Sequence, residues 1–212
     1  CLRLFCAMYN PAHFTVTDPV ALHALIRSHP LGMLLTHSAQ GLDANHLPFE
    51  LLPGEDGTAT LIAHVARANP VWQQVQEGEP VLVVFRAEDG YLSPNWYPAK
   101  HESHRQVPTW NYRVVHAHGR IQVHTNEKWL RGVVGRLTRT HEARTQAQAP
   151  QAHAAWKMSD APADYLQQML GAIVGLEVQV TRLEGKFKLS QNRSPADRGG
   201  AAAGDVPLHQ RL

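Results

Sequence analysis

The chain has 212 residues, of which 43% are hydrophobic and 18% charged, a composition that excludes wholesale disorder. Its 20 Lys and Arg against 18 Asp and Glu leave a formal net charge of +2, too small to predict a dedicated nucleic-acid binder. The two cysteines, Cys1 and Cys6, exclude a disulfide scaffold or a Cys-rich zinc site, and no apolar run reaches the roughly 18 residues of a membrane span. We therefore expect a reduced, cytoplasmic protein.

The first part of the chain predicts short strands with two helices between them. Asp18 before Pro19 is typical of a helix start, because a carboxylate caps the first backbone N–H groups and proline suits the first turn. Pro48 lies inside a predicted strand and therefore marks an edge or an interruption of the hydrogen-bond ladder. The elements predicted here are a helix from Pro19 to His29, strands over 31–36, 43–52 and 58–66, a short helix over 69–78 and a buried strand over 81–85.

The second part predicts a long strand and two further helices. The aromatic, proline-rich stretch 91–98 is typical of an ordered loop or irregular strand, and Gly119 predicts a bulge or bend. The elements predicted here are a strand over 109–123, a helix over 127–144, a loose Ala/Gln-rich insert over 146–155, a helix from about 159 to 173, a strand over 177–189 and a frayed tail over 194–212.

About six strands with a few inserted helices, and no strict alternation of strand and helix, predict a mainly β (α+β) fold. The arrangement favours a small antiparallel barrel with helical excursions over a doubly wound parallel sheet. We expect one domain over residues 8–193. Because the chain begins with Cys and not Met, we expect Met8 to be the natural start and residues 1–7 to be an upstream segment.

Polar and aromatic residues concentrate in four patches, whereas the common nucleotide, zinc-helix and nucleophile-elbow motifs are absent from the sequence. The patches are 45–49, 64–70, 93–97 together with 108–112, and 186–193.

The patch at 64–70 joins the end of a strand to the start of a helix. His64 and Arg67 precede Asn69, and backbone N–H groups at a helix start together with an arginine form a good phosphate site. The alternative is structural: a surface arginine beside a capping asparagine.

The other patches also have two interpretations. Trp96, Tyr97, Trp110 and Tyr112 suit a planar heteroaromatic ligand such as a flavin or a base, or they are ordinary core aromatics. The cations and amides from Lys186 to Arg193 belong to a site or to a solvated strand end.

Cations and histidines elsewhere suggest two further sites. One face of the predicted helix 127–144 carries cations that either meet DNA phosphates or form a solvated amphipathic surface. These cations are Lys128, Arg131, Arg136 and Arg139. His116 and His118 would share a strand face and are able to chelate, but no third ligand is evident, and we predict no metal site.

Taken together, the sequence resembles the PaiB-type FMN-binding transcriptional regulators, relatives of the pyridoxamine-phosphate-oxidase split barrel. The matching blocks occur in the family's order, beginning at Met8. They are 8–14, 29–32, 41–49, 64–70, 91–100, 107–116, 137–142 and 186–193. The resemblance implies a split β-barrel of six or so antiparallel strands, and normally a homodimer with one FMN per protomer near the subunit interface.

The resemblance also implies a set of FMN-binding residues. The segment His64–Asn69 matches the phosphate turn, the strand before it often supplies an arginine where this chain has His46, and Thr109–Asn111 match the isoalloxazine pocket. The implied residues are Asn45, His46, Pro48, His64, Ala66, Arg67, Asn69, Thr109, Trp110, Asn111, Ser190 and Gln191.

Two functions of different classes follow from the resemblance. The first is flavin-linked sensing or transcriptional repression, with DNA contacts through the basic helix face, although no helix-turn-helix is evident. The second is an FMN-dependent oxidoreductase acting on a small molecule, with Trp110, Asn111 and Tyr112 near the ring and His64 as a proton donor. A haem-handling role is a third option for which no residue specifies axial ligation.

Overall fold

The computed structural model describes residues 8–54, 58–149 and 154–204. For residues 202–204 it describes the backbone alone. The strands within these residues are β1 (Thr15–Val16), β2 (Leu31–Ser38), β3 (Gly41–Pro48), β4 (Glu50–Pro53), β5 (Ala59–Ala66), β6 (Pro80–Leu92), β7 (Thr109–His124) and β8 (Ile173–Lys188). The helices are α1 (Pro19–Ser28), α2 (Val71–Gln74), α3 (Pro98–Ser103), α4 (Glu127–Gln148), α5 (Ala163–Gly171) and α6 (Pro195–Gly204).

The described strands form one antiparallel sheet in the order β3-β2-β6-β7-β8-β5-β4, with β1 paired to β8. The sheet and its flanking helices confirm the predicted fold class, a mainly β antiparallel arrangement with inserted and flanking helices. The described residues contain eight strands and not about six, since β1 escaped prediction and the predicted strand 43–52 is two strands.

Pro48 divides that predicted strand. β3 ends at Pro48 and β4 begins at Glu50, because proline has no N–H for the ladder. Between them the side chain of Phe49 is buried, and its backbone N–H donates a 2.8 Å hydrogen bond to the carbonyl of Pro30. The proline therefore interrupts the ladder, one of the two outcomes that the sequence predicts.

The segments around residues 98 and 195 are helical, whereas the sequence predicts a loop and a frayed tail. The carboxylate of Asp197 accepts a 3.1 Å hydrogen bond from the backbone N–H of Ala99, which joins α6 to α3. A Cβ on Gly200 would lie 2.0 Å from the carbonyl oxygen of Trp96, so only glycine permits this approach. Close packing of small residues orders α6, and local sequence periodicity does not reveal it.

Several boundaries also differ from prediction. The Asp18 cap is confirmed, since its carboxylate accepts hydrogen bonds from Val20 and Ala21. α2 is shorter than 69–78, β6 extends beyond 81–85, α4 continues to Gln148, α5 begins at Ala163 after a 3-10 turn (Met158–Asp160), and β8 begins at Ile173. Residues 150–153 of the predicted insert lie outside the described residues.

The chain divides into two compact units, each described here by itself. The first takes its described residues from 8–29, 84–117 and 183–204, and the second from 30–83 and 118–182. The single domain over 8–193 stays a prediction. None of the described helices combines the length and the apolar character that crossing a membrane requires.

Close contacts at two glycines shape the second unit. A Cβ on Gly119 would lie 2.5 Å from the carbonyl oxygen of Gln179, so this glycine permits a close backbone approach where the sequence predicts a bulge or bend. A Cβ on Gly175 would lie 2.1 Å from the indole ring of Trp129. That ring stacks on His124 with a centroid separation of 4.1 Å.

Candidate functional site

Arg67 lies just after β5 and satisfies three consecutive carbonyl groups where α5 passes into β8. Its backbone N–H donates to the carbonyl of Ala172 at 2.8 Å, its Nε to Gly171 at 2.7 Å and its Nη2 to Ile173 at 3.0 Å. The last carbonyls of a helix have no partner within the helix and attract cations. Arg67 therefore caps the C-terminus of α5.

Asn69 organises the turn that follows Arg67. Its Oδ1 accepts a 2.9 Å hydrogen bond from the backbone N–H of Val71, an Asx turn. Its Nδ2 donates to Oδ1 of Asn45 at 2.8 Å, and Nδ2 of Asn45 donates in turn to Asp43 at 2.8 Å. The structure thus brings together Asn45 and Asn69, two of the residues implied by the resemblance.

Three of the backbone N–H groups near this helix start, which the sequence predicts as phosphate donors, already have partners within the protein. These are the N–H groups of Arg67, Asn69 and Val71, and α2 has only four residues. The arginine side chain remains available in part. A guanidinium has five N–H donors, and the described hydrogen bonds of Arg67 use Nε and Nη2, so further donors remain for an anion.

His64 is half-buried on β5, paired in register with Gly175 of β8. Its Nδ1 is buried and has no hydrogen-bond partner among the described residues. Burial lowers the pKa of His64 below its usual 6.5, which favours the neutral imidazole at neutral pH. Such an orphaned polar atom fits a site that takes a polar ligand group.

The remaining implied residues of this unit are exposed. His46 and Pro48 lie on β3, where His46 pairs in register with Met33 of β2, and Ala66 ends β5. The His46 imidazole has no described hydrogen bond, and the side chains of Pro48 and Ala66 have no polar atom that could form one.

Five of the implied residues lie in the other unit. Ser190 Oγ donates to Oδ1 of buried Asn111 at 3.2 Å, and Thr109 Oγ1 accepts from the Nζ of Lys188. Gln191 folds back on its own turn, where its side chain accepts from Leu189 N–H at 2.7 Å and donates to the carbonyl of Phe187. Asn111 and Ser190 are therefore brought together, as are Thr109 and a lysine that was not among the implied residues.

The aromatic residues of the third patch separate into two environments. Tyr97 is fully buried in a cluster with Leu92 and Ala201, against which Trp96 packs, so the core interpretation holds for these two rings. Trp110 is 50% exposed and meets Tyr91 edge to face at 5.9 Å. Trp110 is accordingly the ring with a face available to a planar ligand.

The sequence left Lys186 and Lys188 with two interpretations, a site or a solvated strand end, and the resemblance did not include them among the implied FMN-binding residues. Lys188 donates to Thr109 and, at 2.8 Å, to the carbonyl of Trp110, and it thereby holds the start of β7. The sequence signal for these lysines is a pair of cations at alternate positions of one strand, followed by Arg193.

The predicted basic helix face is partly neutralised. Arg131 pairs with Glu127 at 3.0 Å, and Arg136 pairs with Glu50 at 3.0 Å. Lys128 and Arg139 are exposed. Two of the four cations are thus committed to carboxylates, which weakens the argument for a DNA-binding surface.

Comparison with known proteins places the chain in a family. Residues 8–182 match the family described as "Putative FMN-binding domain". The chain belongs to this family. The match confirms the resemblance drawn from the sequence.

Full-length relatives and solved structures agree with this assignment. A Bacillus subtilis protein named "Protease synthase and sporulation protein PAI 2" is 29% identical over 90% of this chain and 85% of its own length. An uncharacterised protein of Emericella nidulans is 30% identical over 93% and 90%. The FAD and heme binding protein from Mycobacterium smegmatis is similar in structure with a TM-score of 0.57 at 19% identity, covering 91% of this chain and 81% of its own. A flavocytochrome from Azotobacter vinelandii gives 0.53 at 14% identity over 92% and 77%. At these identities the structures show a shared fold.

Proposed function

We propose that this protein binds FMN and acts in flavin-linked sensing or repression, as a homodimer with the flavin near the subunit interface. The observation that carries the proposal is the family match over residues 8–182. The Bacillus subtilis relative, named for protease synthesis and sporulation, supports a regulatory role.

The described residues suit the chemical groups of a flavin nucleotide. The unused guanidinium donors of Arg67 would bind the phosphate, and His64 beside that turn offers an unpartnered ring nitrogen. The resemblance assigns Thr109, Trp110 and Asn111 to the isoalloxazine pocket; they lie in the other unit, and that assignment stays a prediction. A bound flavin would supply a ring that accepts and returns electrons.

Regulation by a flavin requires two protein states that bind it, or its two redox forms, with different affinity. We propose that DNA is the partner whose affinity follows flavin state. Lys128 and Arg139, exposed on α4, are the cations through which contact with phosphates would occur.

The binding test is fluorescence quenching of FMN, riboflavin and FAD by the purified full chain. We expect saturation by FMN at one equivalent per chain and about tenfold or more weaker binding of riboflavin, which lacks the phosphate. Absence of any quenching by FMN, even in large protein excess, would overturn the flavin proposal.

The regulatory test is fluorescence anisotropy of labelled promoter DNA with the FMN-loaded protein, oxidised and then reduced. A sequence-dependent affinity that changes with flavin state supports the sensor. An affinity that ignores both DNA sequence and flavin state removes the regulatory role.

An FMN-dependent oxidoreductase is the second candidate, favoured by one observation. The half-buried imidazole of His64, whose buried Nδ1 has no partner among the described residues and whose pKa is lowered by burial, is the kind of group that transfers a proton. Anaerobic mixing of the FMN-loaded protein with NADH or NADPH discriminates between the candidates. Rapid bleaching of flavin absorbance supports the enzyme, and no reduction by either nucleotide counts against it.

A further inference from the structure

Three cations gather at the end of β8 and the turn after it. Lys186 and Lys188 are two residues apart on one strand, so their side chains point to the same face. The turn that follows contains Ser190 in the left-handed conformation, with φ at 63°, and the N–H of Arg193 donates to the Ser190 carbonyl at 3.0 Å. Arg193 follows in this turn, close enough to Lys188 for its charge to lower the pKa of that amine. We call Lys186, Lys188 and Arg193 the lysine cluster.

The described hydrogen-bond and ring partners of the cluster are neutral groups. Nζ of Lys186 donates to the carbonyl of Tyr9 at 2.8 Å and lies 5.3 Å from the centroid of the Tyr9 ring and 5.7 Å from that of Tyr112. Arg193 donates to Gln106 at 2.8 Å and lies 5.3 Å from the ring centroid of Tyr97. Among the described residues, no carboxylate pairs with any of the three cations.

This arrangement is electrostatically costly without a counter-charge. Lysine is almost never fully buried unless it is paired, yet Lys186 is only 9% exposed. Burial first, and then the charges of Lys186 and Arg193, lower the pKa of Lys188. Carbonyl groups and aromatic faces offset only part of the cost of gathering three positive charges.

Other cations of the same unit show the contrast. Arg113 and His29 both pair with Glu88, and Arg86 pairs with Asp89 at 2.6 Å. These cations have carboxylate partners. The three members of the lysine cluster have only neutral partners among the described residues. A bound anion is the component that would balance them.

We propose that Lys186, Lys188 and Arg193 form a binding site for a phosphate oxyanion. Buried Asn111 and Ser190, hydrogen-bonded to one another at 3.2 Å, lie on the same β7 start and β8 turn and add neutral polar groups to it. Lysine binds phosphate as a point charge, and arginine adds a planar fork of donors. The phosphate belongs either to a separate phosphorylated small molecule or to a flavin nucleotide, and in the second case the lysine cluster, not Arg67, binds the FMN phosphate. The site itself does not depend on the flavin proposal.

The test measures the unfolding midpoint of the full chain as inorganic phosphate replaces chloride at constant ionic strength. We expect phosphate to raise the midpoint of the wild-type protein. Lys188→Met and Arg193→Met should each weaken the fitted phosphate affinity about tenfold or more, whereas Lys188→Arg, which keeps the charge, should retain most of it. The matched control is Lys157→Met, at an exposed lysine that belongs to no proposed binding surface, and it should behave as wild type.

Two outcomes overturn the proposal. One is a phosphate effect no larger than that of chloride in the wild-type protein. The other is a phosphate effect that survives intact in both Lys188→Met and Arg193→Met. Because the two variants alter different contacts, a folding defect in one leaves the other to decide.

Titration of FMN and riboflavin into the same variants distinguishes the sources of phosphate. If the flavin supplies it, Lys188→Met weakens FMN but not riboflavin, and inorganic phosphate competes with FMN. If a separate ligand supplies it, phosphate binds to the FMN-loaded protein as well. A protein that binds phosphate at the lysine cluster but no flavin would overturn the proposed function alone.

Discussion

The side-chain amide of Asn69 donates a 2.8 Å hydrogen bond to Oδ1 of Asn45, across 24 positions of sequence. The same Asn69 side chain accepts from the N–H of Val71. One amide therefore fixes the turn after β5 and joins it to β3.

Replacement of Asn69 by alanine should destabilise the protein by about 1–2 kcal/mol, because it removes both hydrogen bonds and leaves two polar partners unsatisfied. Urea denaturation measures the change. Asn95→Ala is the matched control, since Asn95 is exposed and its side chain has no described hydrogen bond. Equal losses in the two variants would contradict the role given to Asn69.

Replacement of Arg67 by alanine should weaken FMN binding by about 1.5–3 kcal/mol, the range of a charge-assisted hydrogen bond. It should also lower stability, because the Gly171 and Ile173 carbonyls lose their donors. Quenching titrations with FMN and with riboflavin separate the two effects, since only FMN carries the phosphate. Arg139→Ala on α4 serves as the control, and an Arg67→Ala variant that binds FMN with wild-type affinity would remove Arg67 from the phosphate site.

Acidification should destabilise the protein through His64. Its pKa lies below 6.5 in the folded protein, so the unfolded chain takes up the proton first. The stability is complete above 6.5 and falls as the pH drops through the lower, folded pKa.

The measurement compares unfolding midpoints at about pH 7.5 and about pH 5.5. In His64→Gln the fall between these values should be smaller than in wild type, whereas His37→Gln, at an exposed histidine of β2, should leave it unchanged. An identical fall in wild type and His64→Gln would show that other groups carry the pH dependence.

Replacement of Gly175 by alanine should cost about 1–3 kcal/mol through overpacking. The new methyl group would meet the Trp129 indole at 2.1 Å and displace it from its stack on His124. Gly171→Ala has open space around it and should change stability by less than about 0.5 kcal/mol. The cost of Gly175→Ala should shrink in a Trp129→Leu background, and a full cost there would place the strain elsewhere.

Local sequence signals predicted the boundary of an element where a single residue determines the local backbone conformation. Asp18 and Pro19 predicted the start of α1, and Pro48 predicted the break between β3 and β4. Apolar runs located β2, β5 and β7 to within two residues, because burial on a sheet imposes its pattern on each strand separately, whereas β1 was missed and β6 extends well beyond its predicted end.

Long-range partners were not predictable in the same way. The side chain of Arg67 donates to carbonyl groups that are 104 and 106 positions later in the sequence. Lys188 donates to Thr109, which is 79 positions earlier. α6 begins with Pro195 and is rich in Gly and Ala, so its composition resembles a flexible tail, whereas its long-range contact with α3 stabilises it as a helix. Of the implied site, the resemblance grouped Asn45 with Asn69 and Asn111 with Ser190, but it assigned no function to the lysines beside them.

Arg67 holds the corner between α5 and β8 with the same guanidinium that we expect to meet a ligand. Any anion that draws this group outward stretches its bonds to the corner, and any movement of the corner re-aims the remaining donors. If an anion binds the remaining donors of Arg67, its binding free energy and the geometry of the corner between α5 and β8 are coupled, because one guanidinium takes part in both. Ligand binding at this turn would then act through hydrogen bonds on the start of β8, a strand of 16 residues.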